Sequence, residues 1–223
     1  MPKSKKEFEQ RAYSFEIRAE EQDGVGILTG RPIVYNQTTD IGGWFSEVID
    51  SGALDGADLT DVRFLVNHDT SRIPLARSRR NNGNSTMQFS IDAEGMRLDW
   101  VKLDIENNAE AAALYSAVQR GDISGMSFMF SVDEETWANL ESDYPTRHIT
   151  KIGTVVEVSA VTFPAYQQTS INARGKEALE SARSAVETAR AAEAANVETK
   201  AKDSLELEKA KFNFYKKIGG NSK

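Results

Sequence analysis

Gly125-Met-Ser127-Phe-Met-Phe130-Ser-Val132 and Val155-Val-Glu157-Val-Ser159-Ala-Val161 decide the fold. Both alternate in a way that suits β-strands and no helix. In the first, Met126, Phe128 and Phe130 point one way and Ser127, Met129 and Ser131 the other. The second is valine-rich, with Glu157 as its sole ionisable group. Burying a lone carboxylate is costly, so Glu157 is expected to be protonated or to face a cation or a donor.

Outward from these runs, the chain from residue 12 to 172 reads as many short strands. Phe15, Ile17 and Ala19 alternate with polar residues as a first strand, and Val25 to Tyr35 follows a glycine-bearing turn. Arg63-Phe-Leu-Val-Asn-His68 is a short buried strand that places His68, partly buried, at its end. Met87–Ile91 and Met96–Trp100 flank a turn at Asp92–Gly95 as a hairpin. Asn108 to Arg120 has helical spacing and stops at Gly121, Arg77 to Ser85 reads as a mobile polar loop, and His148 to Ile152 is a further strand. The setting of His148, after Tyr-Pro-Thr-Arg, is itself loop-like. The fold class is mainly β with flanking helices, α+β or a closed β-barrel.

The composition changes after Pro164. From Gly175 to Lys223 there is no proline, and 10 of the 49 residues are alanine. Leu179, Ala182, Val186 and Ala189 keep a helical spacing that Val197, Ala201, Leu205 and Phe212 resume in shifted phase. Such a stripe buries little area, so a helical, partly disordered tail without a substantial apolar face is expected. The division is a flexible arm over 1–10, a core domain over 11–174 and the tail over 175–223.

In 223 residues there is no cysteine, which excludes disulfides, thiolate metal sites and a cysteine nucleophile. The net charge of −7 offers no general attraction to nucleic acid or an anionic membrane. No run approaches the ~20 apolar residues of a membrane span. The basic start, Met1-Pro-Lys-Ser-Lys-Lys, leads into Glu7-Phe-Glu-Gln10, so no secretory signal is expected. Gly24-Val-Gly26-Ile-Leu-Thr-Gly30 has the wrong spacing for a dinucleotide site, and there is neither a Walker loop nor a G-x-S-x-G elbow. No cofactor or metal is expected. His68 and His148 are the only imidazoles. One histidine, one serine and one carboxylate, each on its own strand, suit a serine hydrolase in which His68 deprotonates Ser127 and Glu157 orients the imidazole.

Taken in order, these segments resemble the prohead (capsid maturation) proteases of tailed bacteriophages. Arg11-Ala-Tyr-Ser-Phe15, Leu28-Thr-Gly30, Phe45-Ser-Glu-Val-Ile49 with Ser51-Gly-Ala-Leu54 as a turn, and Val66-Asn-His68-Asp69 come first. Arg120-Gly-Asp-Ile-Ser-Gly-Met-Ser127-Phe128 and Glu157-Val-Ser-Ala-Val-Thr-Phe-Pro-Ala-Tyr166 are the specific motifs. Leu75-Ala76-Arg77 departs from the family's Leu-Gly-Arg by one methyl.

The resemblance implies an assemblin-like barrel and a serine endopeptidase with His68 as base, Ser127 as nucleophile and Glu157 as third member. Assemblin-type enzymes use a second histidine there, which would be His148. Backbone amides or an arginine such as Arg77 would serve the oxyanion. The implied partners are the major capsid protein with its scaffold segment, and the chain itself, by self-cleavage and as a homo-oligomer. The implied place is the procapsid in the host cytoplasm, with the tail as a scaffold-like targeting segment. The alternatives are a non-enzymatic scaffold or capsid-interaction protein on the same fold, and an esterase using the same triad.

Overall fold

A computed structural model describes residues 8–13, 17–163 and 173–219. Phe15 and the Pro164-Ala-Tyr166 end of the last motif lie outside them. The element order is β1 (Glu9–Tyr13), β2 (Arg18–Gln22), β3 (Val25–Val34), β4 (Thr39–Ile41), β5 (Phe45–Ile49), β6 (Asp61–Val66), β7 (Ala76–Arg79), β8 (Met87–Asp92), β9 (Gly95–Leu103), α1 (Ala109–Gln119), β10 (Gly125–Ala138), β11 (Thr146–Val161) and α2 (Ala173–Gly219). Among the described residues the chain is mainly β with two helices, as the alternation predicts.

The two deciding runs form the central pair. β10 and β11 are antiparallel, with Ser127 opposite Ser159 and Met129 opposite Glu157. The runs read as separate strands at 148–152 and 155–161 are one 16-residue strand. That length lets β11 take two parallel partners along one edge, β5 at residues 146–149 and β6 at 157–160. His148 therefore lies within a strand, and Phe45–Ile49 is a strand rather than part of a turn. β1 pairs with the far edge of β10, and β4 and β7 extend the seven-stranded sheet. Arg77 to Arg79 belong to β7, so the polar loop begins later than its composition suggests.

β2-β3-β9-β8 form a second sheet. The β8–β9 hairpin pairs Asp92 with Gly95. Gly95 has φ +128, and a Cβ there would lie 2.2 Å from the Ile33 carbonyl oxygen, so only glycine fits. Where the sheets meet, the Thr86 N–H donates to the Arg77 carbonyl at 3.1 Å and the Lys102 N–H to the Thr86 carbonyl at 2.8 Å. The main core lies on the Phe128 side of β10. Met126, Phe128, Phe130, Val155, Val158 and Ala160 join Leu28, Ile33, Met96 and Leu98 of the second sheet there. α1 is capped by Asn108, whose side chain accepts from the N–H groups of Glu110 and Ala111, and it buries Leu114, Tyr115 and Val118.

α2 is helical over 47 residues. It is not wholly solvated, because Val186 is 4% exposed against Phe45, beside Ile41 and Trp137. Arg190 donates to the carbonyls of Leu140 at 2.9 Å and Ser142 at 2.6 Å, and the Arg183 guanidinium lies 5.7 Å from the Trp44 ring centre. Beyond this anchor Val197, Leu205 and Leu207 are exposed. Among the described residues no helix is long and apolar enough to cross a membrane.

Replacing Val186 with aspartate should free α2 from the Phe45–Trp137 face. Tryptophan emission should shift to the red and proteolysis near residues 173–190 should quicken, while the melting temperature of the core moves by only a few degrees. Unchanged emission and proteolysis would show that this contact does not hold the helix.

Candidate active site

One row of residues crosses four strands: Ala12 on β1, Ser127 on β10, Ser159 on β11 and Leu65 on β6. Side chains alternate across a sheet, so Ser127, Ser159 and, two residues along β11, Glu157 share the face opposite Phe128 and Phe130. The core face is filled by those two rings, stacked with centroids 4.7 Å apart. The other face carries the polar groups.

His68 reaches that face by leaving its strand. The β6–β11 pairing continues through the Asn67 N–H, which donates to the Ala160 carbonyl at 3.0 Å. Asn67 and His68 then take left-handed conformations, φ +53 and +58. Asn tolerates this region and histidine enters it at a cost, so the turn needs support. The Asn67 side chain supplies some of it, accepting from the Thr162 N–H at 2.9 Å and donating to the Thr162 hydroxyl at 3.0 Å. The two-residue period that would align His68 with Val66 and Phe64 is broken at this turn, and the ring is carried back over the sheet. Its side chain is 13% exposed, as partial burial at a strand end predicts.

The result is a continuous row of hydrogen bonds. Ser127 Oγ lies 2.5 Å from His68 Nε2, and His68 Nδ1 is hydrogen-bonded to Glu157 Oε1. Glu157 Oε2 accepts from the Ser159 hydroxyl at 2.5 Å, and Ser159 Oγ accepts from the His68 backbone N–H at 3.2 Å. A carboxylate only accepts, so Nδ1 carries the ring proton and Nε2 is left to accept from Ser127. Ser127 and Ser159 are fully buried and Glu157 is 2% exposed. Ser127 Oγ is also 2.8 Å from the Arg11 carbonyl oxygen, so two acceptors compete for its single proton.

His148 is held elsewhere, with Nδ1 2.9 Å from Asp50 Oδ1. The Arg77 guanidinium grips Asp61, with Nε 2.5 Å from Oδ1, at the opposite end of β6 from His68, so it does not reach the serine. The sequence offers Ser159, like Ser124, only as a nucleophile next in line to Ser127, and its place beside Glu157 is missed. Its signal is that it stands two residues from Glu157, on the same face of the same strand.

A second buried polar group holds β1 beside Ser127. Arg11 Nε is 2.5 Å from Glu47 Oε1, and Arg147 bridges Glu47 at 3.0 Å, Glu9 at 2.7 Å and Glu135. Burial pushes both guanidiniums towards neutrality, but the surrounding carboxylates more than reverse this and hold them above the usual arginine range. For Glu9, burial raises the pKa, but it is outweighed by the hydrogen bond from Arg147 and the charges of Arg11 and Arg147. The carboxyl lies below its ordinary value of 4.5.

Serine, imidazole and carboxylate joined in one row on a mainly β domain are the arrangement of a serine hydrolase. Residues 13–183 match the family of caudovirus prohead serine proteases, and the chain belongs to that family of serine peptidases. No curated protein and no solved structure matches the chain.

Two outcomes test the arginine network. Arg147→Ala should destabilise the domain by up to about 3–5 kcal/mol in denaturant unfolding, since it removes the cation shared by Glu9, Glu47 and Glu135 and leaves the buried Glu47 with Arg11 alone. Because the folded-state pKa of Glu9 is depressed, its contribution is present above about pH 4.5 and is lost as pH falls below that. The melting temperature should therefore drop less steeply with acid in Glu9→Gln than in the wild type, and equal slopes would remove Glu9 from the network.

Proposed function

We propose that the chain is the endopeptidase that matures the phage prohead by cutting the scaffold segment of the major capsid protein, and then itself, inside the procapsid of the infected cell. The observation that carries this reading is the unbroken row from Ser127 Oγ through His68 to Glu157. In it, Ser127 Oγ bonds to the scissile carbonyl carbon while its proton passes to His68 Nε2. Glu157 stabilises the imidazolium, which then protonates the leaving amine as the C–N bond breaks. Water repeats the sequence on the acyl-enzyme, giving up its proton to His68 and releasing Ser127. Backbone N–H groups, rather than Arg77, are proposed as the oxyanion donors.

Other features support the reading. The hydrogen-bonded seam at Thr86 fits two sheets that are parts of one assemblin-like barrel. The division into arm, protease unit over 11–174 and scaffold-like tail over 175–223 fits a long α2 held by a single anchor around Val186. The buried nucleophile fits a protease that must stay quiet before assembly, because a substrate carbonyl meets Ser127 only after its surroundings open. The partners are the capsid protein and further copies of the chain.

The test is processing of the capsid protein on coexpression. Ser127→Ala and His68→Ala should each lower cleavage by about four orders of magnitude or more, and the double variant no further. Glu157→Gln should cost about 10²–10⁴-fold, and His148→Ala little. Normal processing by the Ser127 and His68 variants would favour the non-enzymatic scaffold instead. Turnover of activated esters without peptide cleavage would favour the esterase.

A further inference from the structure

We propose that Ser159 is a positioning residue of the active site, a fourth member that sets Glu157 and the His68 backbone for the reaction; this rests on the protease reading above. The polarity of its two hydrogen bonds is fixed by chemistry. The carboxylate Oε2 can only accept and the His68 backbone N–H can only donate. The Ser159 proton therefore goes to Glu157, and a lone pair of the same oxygen receives His68 N–H.

Each bond answers a need the rest of the site creates. Glu157 is 2% exposed, and with Oε1 committed to His68 its second oxygen would otherwise be buried without a donor. A donor there stabilises negative charge, the property that makes Glu157 useful to an imidazolium, and stops the carboxylate plane from rotating. His68 sits at φ +58, and Ser159 ties its N–H to the strand that carries the glutamate. One hydroxyl thus fixes both ends of the His68–Glu157 bond relative to each other.

Ser131 supplies an internal comparison. It is a buried serine at 2% exposure, on β10, and its hydroxyl has no hydrogen-bond partner among the described residues. Burial of a serine in this sheet does not by itself bring a hydrogen bond. The two bonds of Ser159 follow from its place.

The test compares Ser159→Ala, Ser159→Thr and Ser131→Ala in the full chain. The readouts are acylation of Ser127 by a fluorophosphonate, resolved into kinact and KI, and the downfield proton resonance of His68 Nδ1–H, assigned with His148→Asn. Ser159→Ala should lower kinact about 10-fold or more with KI unchanged, and should move the resonance upfield or broaden it away. Ser159→Thr keeps the hydroxyl and should restore both, while Ser131→Ala should alter neither. If the alanine variant does not fold, Ser159→Cys takes its place, similar in size but a weak donor. A kinact within about two-fold of the wild type together with an unmoved resonance overturns the proposal. If the wild type is labelled at Ser127 neither alone nor when coexpressed with the capsid protein, the protease reading itself falls, and an unmoved resonance in Ser159→Ala then removes the role of Ser159 as well.

Discussion

A carboxylate buried in a valine-rich strand must have both oxygens satisfied, and the site is built around that demand. Glu157 is held at the centre of the widest sheet by the pairing of β10 with β11, where water cannot reach it. Its partners must therefore come from the protein. Ser159 is supplied by β11 itself, and His68 by β6, the parallel neighbour of β11. The left-handed turn at Asn67 and His68 is the backbone cost of bringing an imidazole from the end of one strand onto the face of the next. Ser127 completes the row because antiparallel register puts it opposite Ser159. The row runs from β10 to the end of β6 and then to β11, although β11 lies between the other two strands, because the turn carries His68 back over the sheet.

The arginine network shows the same constraint on the other side of β10. Arg11 and Arg147 could not be buried alone. Together with Glu9, Glu47 and Glu135 they fasten β1 and β5 to the central pair. The network also places the Arg11 carbonyl against the Ser127 hydroxyl, so the first strand of the fold and the candidate site are mechanically linked.

His68, Ser127 and Glu157 are legible in the sequence because each is a polar residue in or at the end of an apolar, alternating strand, where it has no packing purpose. The β8–β9 hairpin and α1 are legible for a related reason, since their turn and cap signals are local. What escapes is non-local. Phe45–Ile49 reads as part of a turn because nothing near it announces its parallel partner 100 residues away in β11. The runs at 148–152 and 155–161 read as two strands because Gly153 and Thr154 interrupt the apolar pattern, although the hydrogen-bonded ladder continues past them. Nothing near Arg147 in the sequence sets it apart, because its three ion partners are scattered from residue 9 to residue 135. Val186 reads as one small member of a weak stripe because Phe45 and Trp137, which cover it, lie 141 and 49 residues earlier in the chain.

That last contact sets a length scale. At about 1.5 Å per residue, the 34 residues from Val186 to Gly219 make a rod of roughly 50 Å, longer than the ~40 Å width expected of a compact domain of some 160 residues. The rod is held near its base through Arg183, Val186 and Arg190, and its side chains from residue 191 to 211 are exposed. A body tethered in this way is found by its neighbours at distances its own surface could not reach. A partner that binds along the exposed length is met up to about 50 Å from the anchor, so reach, and not affinity alone, sets which partners are captured.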